Sequence, residues 1–531
     1  MNTTHRASKA ITLLVTCLGT FMVLLDASIV NVALPTIQTD LHANLSDLQW
    51  TVDAYTLPFA ALMLSAGTLG DRFGRKRLFL SGMVLFLLGS TFCGFAPTLG
   101  WLLFGRVVQG IGAGALSTGS LSVLASAFPD THERARAIGI WAGISGMALA
   151  AGPLAGGLLI QIGSWPSIFF VNLPVGGVAL ALGWSALPES RNPHARRIDL
   201  PGQVLVTAAL VCLIMALIES SSVGWTSPLI LVLFIATIVL LAAFLLVEAR
   251  ASEPLLPLSL FANRIFSVAL VAALLAGFVL MGTVFFIAQY FQSVQGYTAL
   301  GSGLRTLPAT MGMFLTAPIA GRLAARLGSR PPIVLGALLT ASMLFLMTRI
   351  EPDTNYASIW WNLGLWGIGF GLMLSPITSA GLSATPLTRA GLGSSMLNTS
   401  RQIGVTLGVA ILGTFVVQQF SSNIASQLSQ RGIPGPTGAA IASKIATAGA
   451  QAGRLHLSGQ LPLSQATLHQ TINQAFVDSL HGSFLISGIA LLISALLVAS
   501  LLHQKQPQPD TSVPSTNLPP TTEPLAIQDT V

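Results

Sequence analysis

Fourteen stretches of roughly 20 mostly apolar residues, each long enough to cross a bilayer, follow one another along this chain with short connections between them. They cover approximately 10–35, 49–70, 78–96, 99–127, 136–160, 166–187, 201–220, 228–248, 265–290, 304–325, 331–349, 358–382, 402–420 and 483–503. Only 8% of the 531 residues are charged and 52% are hydrophobic, against roughly 25% charged in soluble domains. Such a chain cannot cover a globular surface with polar groups, so it reads as an all-α polytopic membrane protein. Its 52 Gly and 29 Pro suit closely packed or broken membrane helices. The first stretch follows Arg6 and Lys9 as a signal peptide would, but it runs too long for one and carries Asp26, so it reads as a retained helix. Cys17, Cys93 and Cys212 fall in separate apolar stretches with no pairing or metal spacing and read as core residues.

The basic residues set the expected orientation. With the N-terminus in the cytoplasm, 19 of the 25 Lys and Arg fall on inner segments or adjoining helix ends, Arg72, Arg75, Lys76, Arg77 and Arg401 among them. Five fall outside, and Arg106 lies within helix 4. This positive-inside bias predicts two cytoplasmic termini. It also accounts for the net charge of +7 without nucleic acid as a partner.

The expected divisions are a cytoplasmic N-terminus (1–9), a six-helix bundle (10–187), two inserted helices with their loops (188–264), a second bundle (265–503) and a disordered Pro/Thr-rich tail (504–531). The second bundle includes an outer loop, 421–482, expected to form amphipathic helices near the membrane. The two bundles read as a duplication. GTLGDRFGRK (67–76) and GRLAARLGSR (321–330) align at one spacing, and GIGAG (110–114) and GIGFG (367–371) at nearly the same spacing. Repeats of this kind are typical of secondary transporters, whose halves rock about a central site.

These motifs resemble the major facilitator superfamily. GTLGDRFGRKR is similar to its motif A loop, GRVVQGIGAG (105–114) to motif B, and AGPLAGG (151–157) to the motif C of exporters. LDASIVNVALP in helix 1, QYFQSVQGYTALGSGL (289–304) and SMLNTSRQIGVTLGVA (395–410) resemble the fourteen-helix drug:proton antiporters. The resemblance covers nearly the whole chain and implies the major facilitator fold with two inserted helices. Three departures stand out: Ala148 where motif C opens with Gly, Trp165-Pro166-Ser167 where Trp-Arg-Trp is common, and Ala325 in the second copy of motif A where the first has Asp71.

Few ionisable residues lie inside the spans: Asp26, Asp53 and Arg106, with Glu219 at the outer end of helix 7. At 1.5 Å per residue, Asp26 lies about 13 Å below the outer end of helix 1, Asp53 about 6 Å below that of helix 2, and Arg106 about 10 Å below that of helix 4. A charge there is costly unless it meets water or a partner, so each is a functional candidate. Asp26 and Asp53 are the expected proton and cation sites, with a salt bridge to Arg106 as the competing reading. Arg106 and Gln109, three residues apart, share a helix face. The resemblance implies that Arg106 tunes proton transfer. No ionisable residue is assigned to the spans of the second bundle, which suggests that one half handles protons and the other shapes the cavity.

Motif A reads as a cytoplasmic gate. Gly67 and Gly74 allow close approach and tight turning. Asp71 can cap a helix or pair with Arg75, while Arg72, Arg75 and Lys76 can bond Asp130 or Glu133 of the next inner loop. The alternative is that the basic residues only set topology. In helix 5, Gly152, Pro153, Gly156 and Gly157 supply a bend and close packing, which the resemblance links to an outward-releasing conformation. Trp50, Tyr55 and Tyr290 are weaker candidates for a substrate cavity.

The expected function is therefore proton-coupled antiport, exporting drugs or other amphipathic or cationic compounds across the cytoplasmic membrane by alternating access. One endogenous metabolite, lipid or siderophore is the alternative cargo, and a non-transporting membrane sensor a more distant alternative. No enzyme signature, Walker A sequence or metal spacing appears. The expectation is a functional monomer in a lipid bilayer with no cofactor beyond protons; a periplasmic adaptor is left unassigned.

Overall fold

The structure is a computed structural model that describes residues 2–191, 199–251, 253–385, 390–430 and 465–502, together with Ala442 and Ile445. The tail 504–531 and most of the centre of the predicted outer loop lie outside the described residues. Among those described, the chain forms fourteen long helices and no strand. They are α1 (Asn2–Asp40), α2 (Leu45–Phe73), α3 (Arg75–Gly94), α4 (Leu99–Ala127), α5 (Thr131–Gly163) and α6 (Ser167–Ala186), then α7 (Leu200–Val223) and α8 (Pro228–Arg250). The second set is α9 (Arg264–Gln289, running on through a π turn at Tyr290–Val294), α10 (Ala299–Leu327), α11 (Arg330–Met347), α12 (Tyr356–Ser383), α13 (Ala390–Gln430) and α14 (Gln465–Leu501).

Helices are the expected solution in a bilayer, because each satisfies its own backbone where no water can. Thirteen of the fourteen are long and apolar enough to cross a membrane by length and composition. The exception, α10, is diluted by Gly, Thr and Pro and carries Arg305, Arg322 and Arg326. An even number of passes returns both ends of the bundle to one face. The assignment of that face to the cytoplasm rests on the basic-residue count alone.

The internal repeat is visible in backbone contacts. Gly110 and Gly114 of α4 lie against the carbonyls of Tyr55 and Phe59 in α2. Gly367 and Gly371 of α12 lie in the same way against the carbonyls of Ala309 and Met313 in α10. Gly82 meets Gly112 where α3 crosses α4, and Gly336 meets Gly369 where α11 crosses α12. Small residues at these crossings bring the backbones together without any apolar driving force from lipid.

Two expectations change at the end of the second unit. Residues 421–430 continue α13, and 465–482 belong to α14, so these stretches are extensions of the spanning helices rather than separate helices lying along the membrane. Phe420, Ile424 and Leu428 form an i, i+4 stripe that buries against Ile472, Ala475 and Phe476, and this packing carries both helices onward. Helix α13 also begins well before 402, which places Arg401 inside a helix and not at its edge.

The side chains that tie the two units together gather in the half of the bundle away from the N-terminus. Gln49 of α2 donates to the carbonyls of Val409 and Ala410 in α13 (3.1 and 3.3 Å). Gln292 beyond α9 donates to the carbonyl of Val32 (2.9 Å), and Thr406 to Thr56 (2.9 Å). In α5, Pro153 and Gly157 pack against Gly303 and Leu300 of α10. The inserted α7 covers the seam between α2 and α13. Gln203 donates to the carbonyl of Ala61 (2.8 Å) and Trp50 donates to Glu219 (3.0 Å), while Thr414 donates to the carbonyl of Leu217 (2.7 Å).

Candidate functional site

The apolar run of α1 continues through Asp26, because a helix in lipid can accommodate a polar side chain that finds partners across the bundle. The structure supplies them. Arg106 Nη1 donates to Asp26 Oδ2 (2.5 Å), and Gln109 Nε2 (3.0 Å) and Asn172 Nδ2 (3.3 Å) donate to Oδ1. Arg106 also donates to Gln109 Oε1 (2.9 Å) and, through Nε, to the carbonyl of Thr51 (3.1 Å). Ser90 Oγ accepts from both Gln109 (2.7 Å) and Asn172 (3.2 Å). The guanidinium lies 4.2 Å from the Tyr55 ring centre, a favourable cation–π distance in a dry site. Tyr55 in turn donates to the carbonyl of Val23 (3.1 Å).

Both charged side chains are out of solvent, Asp26 at 0% and Arg106 at 1% exposure. The pair is therefore a closed network across α1, α2, α3, α4 and α6. A buried ion pair of this kind is satisfied only as a unit: losing one partner leaves an uncompensated charge. Its chemical capacity is that of a switch, since a proton on Asp26 removes the charge that holds Arg106.

The structure brings Asp26, Arg106, Gln109 and Tyr55 together and leaves Asp53 apart. Asp53 is fully buried; its Oδ1 accepts from Thr56 (3.1 Å) and its Oδ2 has no partner. It stands beside the α2–α13 seam, next to the Thr56–Thr406 contact. Trp50 turns to Glu219 of α7. Tyr290 is fully buried at the far end of the second unit and donates to the carbonyl of Glu351 (2.7 Å). None of the three proposed cavity aromatics lines an open cavity here, because hydrogen-bonding each polar tip draws its ring into a helix junction.

Motif A is built differently from expectation. Asp71 accepts two hydrogen bonds from Arg75 (2.8 and 3.0 Å) across the α2–α3 turn. The partner of the other basic residues is Glu189 in the connection after α6, which pairs with Arg77 (3.7 Å) and accepts from the Lys76 backbone (3.2 Å). Lys76 Nζ donates to the carbonyl of Trp184 (2.7 Å), and Arg72 lies against Phe73. Asp130 instead caps α5 at Glu133 N (2.8 Å), while Glu133 pairs with Lys9 (2.5 Å). All these bonds stay within the first unit, so they do not clasp the two units together. Gly74 is required by its backbone, with φ +111°, and by the Glu189 carboxylate, which a side chain would strike. Gly67 makes no close approach: a Cβ there would meet nothing within 4 Å.

In α5, Gly152 and Gly156 pack on Ser28 and Ile29 of α1, and Gly157 on Leu300 of α10. This segment thus touches both units. The residues that sequence reasoning misses are Asn172, Ser90, Thr51 and Glu189. Neutral polar residues are common in spans, and a loop carboxylate carries no signal by itself. Arg401 is a further correction: the second unit does hold an intramembrane charge.

A bundle of paired six-helix units joined by inserted helices, with a charge network in one unit, is the architecture of a transporter and not of an enzyme. Residues 16–409 match the Major Facilitator Superfamily, and the chain belongs to it. It is 37% identical over 492 residues to the multidrug resistance protein Stp of Mycobacterium tuberculosis (strain CDC 1551 / Oshkosh), covering 93% of this chain and 90% of Stp. It is 34% identical to the tetracenomycin C resistance and export protein of Streptomyces glaucescens, covering 94% and 92% of the two chains. In fold it matches a bacterial homologue of the human lysosomal transporter Spinster, solved inward-facing and unoccupied, with a TM-score of 0.65 at 19% identity, covering 93% and 96%.

Proposed function

We propose that this multi-pass membrane protein is a proton-coupled exporter that moves amphipathic compounds outward across the cytoplasmic membrane by alternating access. The observation that carries the reading is the Asp26–Arg106 pair, a carboxylate sealed in the first unit with no solvent exposure. Such a pair has two arrangements, bonded when Asp26 is ionised and released when it is protonated. Because its partners sit on five helices, the change is felt across the unit that must rock. Asp53, with a free carboxylate oxygen beside the α2–α13 seam, is proposed as a second proton-exchanging group. Relatives named for multidrug resistance and for tetracenomycin C resistance and export support the cargo class.

A cationic cargo competing at Asp26 is not carried forward, because Arg106 already occupies that carboxylate. The coupling residues all belong to one chain, which supports a working monomer. The test is proton flux in proteoliposomes under a panel of amphipathic compounds. The wild type is expected to release protons on compound addition, and Asp26→Asn to lose that response while still folding. Normal gradient-driven transport by Asp26→Asn, or no proton movement in the wild type, would overturn the coupling.

A further inference from the structure

Arg401 lies about 16 Å along α13 from Ala390, at 1.5 Å per residue. Its backbone is fixed: Gly277 of α9 packs directly on its carbonyl, and the neighbouring Ser400 donates to the carbonyl of Leu270 (2.8 Å). The side chain lines a narrow cleft between α9, α12 and α13, with Ala273, Ala276, Leu374, Thr378 and Asn398. Its guanidinium donates to Asn398 Oδ1 (3.1 Å), and no carboxylate among the described residues meets it. Arg106, by contrast, has a carboxylate, an amide and a carbonyl as acceptors.

A guanidinium offers five N–H donors in a planar fork that matches a carboxylate. Holding that charge within a helical bundle is costly unless an anion or water completes it. The other wall of the cleft is apolar, which suits the hydrocarbon body attached to an acidic head.

We propose that this cleft binds the carboxylate of an acidic amphipathic compound, with Arg401 as the anion-binding residue and Asn398 orienting it. The cargo class then follows from the second unit, while the proton is handled in the first; that last step rests on the export reading. Binding can be measured without transport, which keeps the two apart.

The experiment titrates the purified full chain, in lipid-free neutral detergent, with 2-naphthoate and with methyl 2-naphthoate. The wild type is expected to bind the acid at least tenfold more tightly than the ester. Arg401→Gln should erase that preference with ester binding unchanged, and Arg401→Lys should keep part of it. Equal affinity of the wild type for acid and ester overturns the proposal, as does a preference that survives in Arg401→Gln. Should Arg401→Gln fail to fold, the wild-type comparison and Arg401→Lys decide, since a lysine variant with unreduced preference would also count against fork recognition. A preserved acid preference in a protein that moves no compound would sink the export reading and leave this site standing.

Discussion

The two six-helix units repeat each other in backbone and differ in charge. In the first, Asp26 and Arg106 neutralise each other inside a network that leaves neither exposed. In the second, Arg401 has Asn398 as its polar partner and lines a cleft. The Gly-to-carbonyl crossings are nevertheless the same in both, Gly110 on Tyr55 and Gly367 on Ala309. The duplicated features are those that let helices approach; the divergent ones are the polar side chains those helices carry. Packing constrains both copies equally, whereas coupling and recognition need only one copy each.

The comparison can be broken first at the two arginines. Arg106→Leu strands Asp26 without its charge partner and is expected to cost about 3–5 kcal/mol. Arg401→Leu strands no carboxylate and should stay within about 0.5 kcal/mol. Denaturant unfolding in detergent measures both, and equal losses would erase the distinction between the units. The crossings come next. Gly110→Leu and Gly367→Leu should each cost about 1–3 kcal/mol through overpacking; a large loss in one unit only would mean that the repeat is not mechanically equivalent.

Smaller effects test how α7 joins the units. Trp50→Phe removes its bond to Glu219 in α7, and Thr414→Val removes the bond to the Leu217 carbonyl from the other unit. Each should cost about 0.5–1.5 kcal/mol, read as a shift in unfolding midpoint. The smallest stability effect is expected at Asp71→Asn. Its pair with Arg75 is partly exposed and spaced i, i+4, so only about 0.3–0.5 kcal/mol is at stake. Transport by that variant is nevertheless expected to fall, measured as compound efflux from proteoliposomes; an unchanged rate would reduce motif A to a topology signal.

Some of the site was legible early. Asp26, Arg106 and Gln109 stand out because an ionisable or amide group in an apolar run has few physical excuses. Asn172 and Ser90 do not stand out, since neutral polar side chains are tolerated in spans at little cost. Arg401 was misplaced for a related reason: a charge reads as the end of a span, and only the helix running from Ala390 puts it inside. The same habit cut α13 and α14 short, where an apolar stripe past the expected boundary carries both helices on.

By itself the sequence determined the number of helices, the doubling and the class of protein, because hydropathy, glycine spacing and motif residues are local properties of the chain. It also isolated the charges worth explaining. Tertiary structure alone decided which of those charges meet. Asp26 and Arg106 are 80 positions apart, and whether such groups pair depends on helix rotation and crossing. Those are set by many weak contacts among apolar and small residues, none of which names its partner in sequence. That is why Asp26 closes on Arg106 while Arg401, on an equally packed helix, is left facing a cleft.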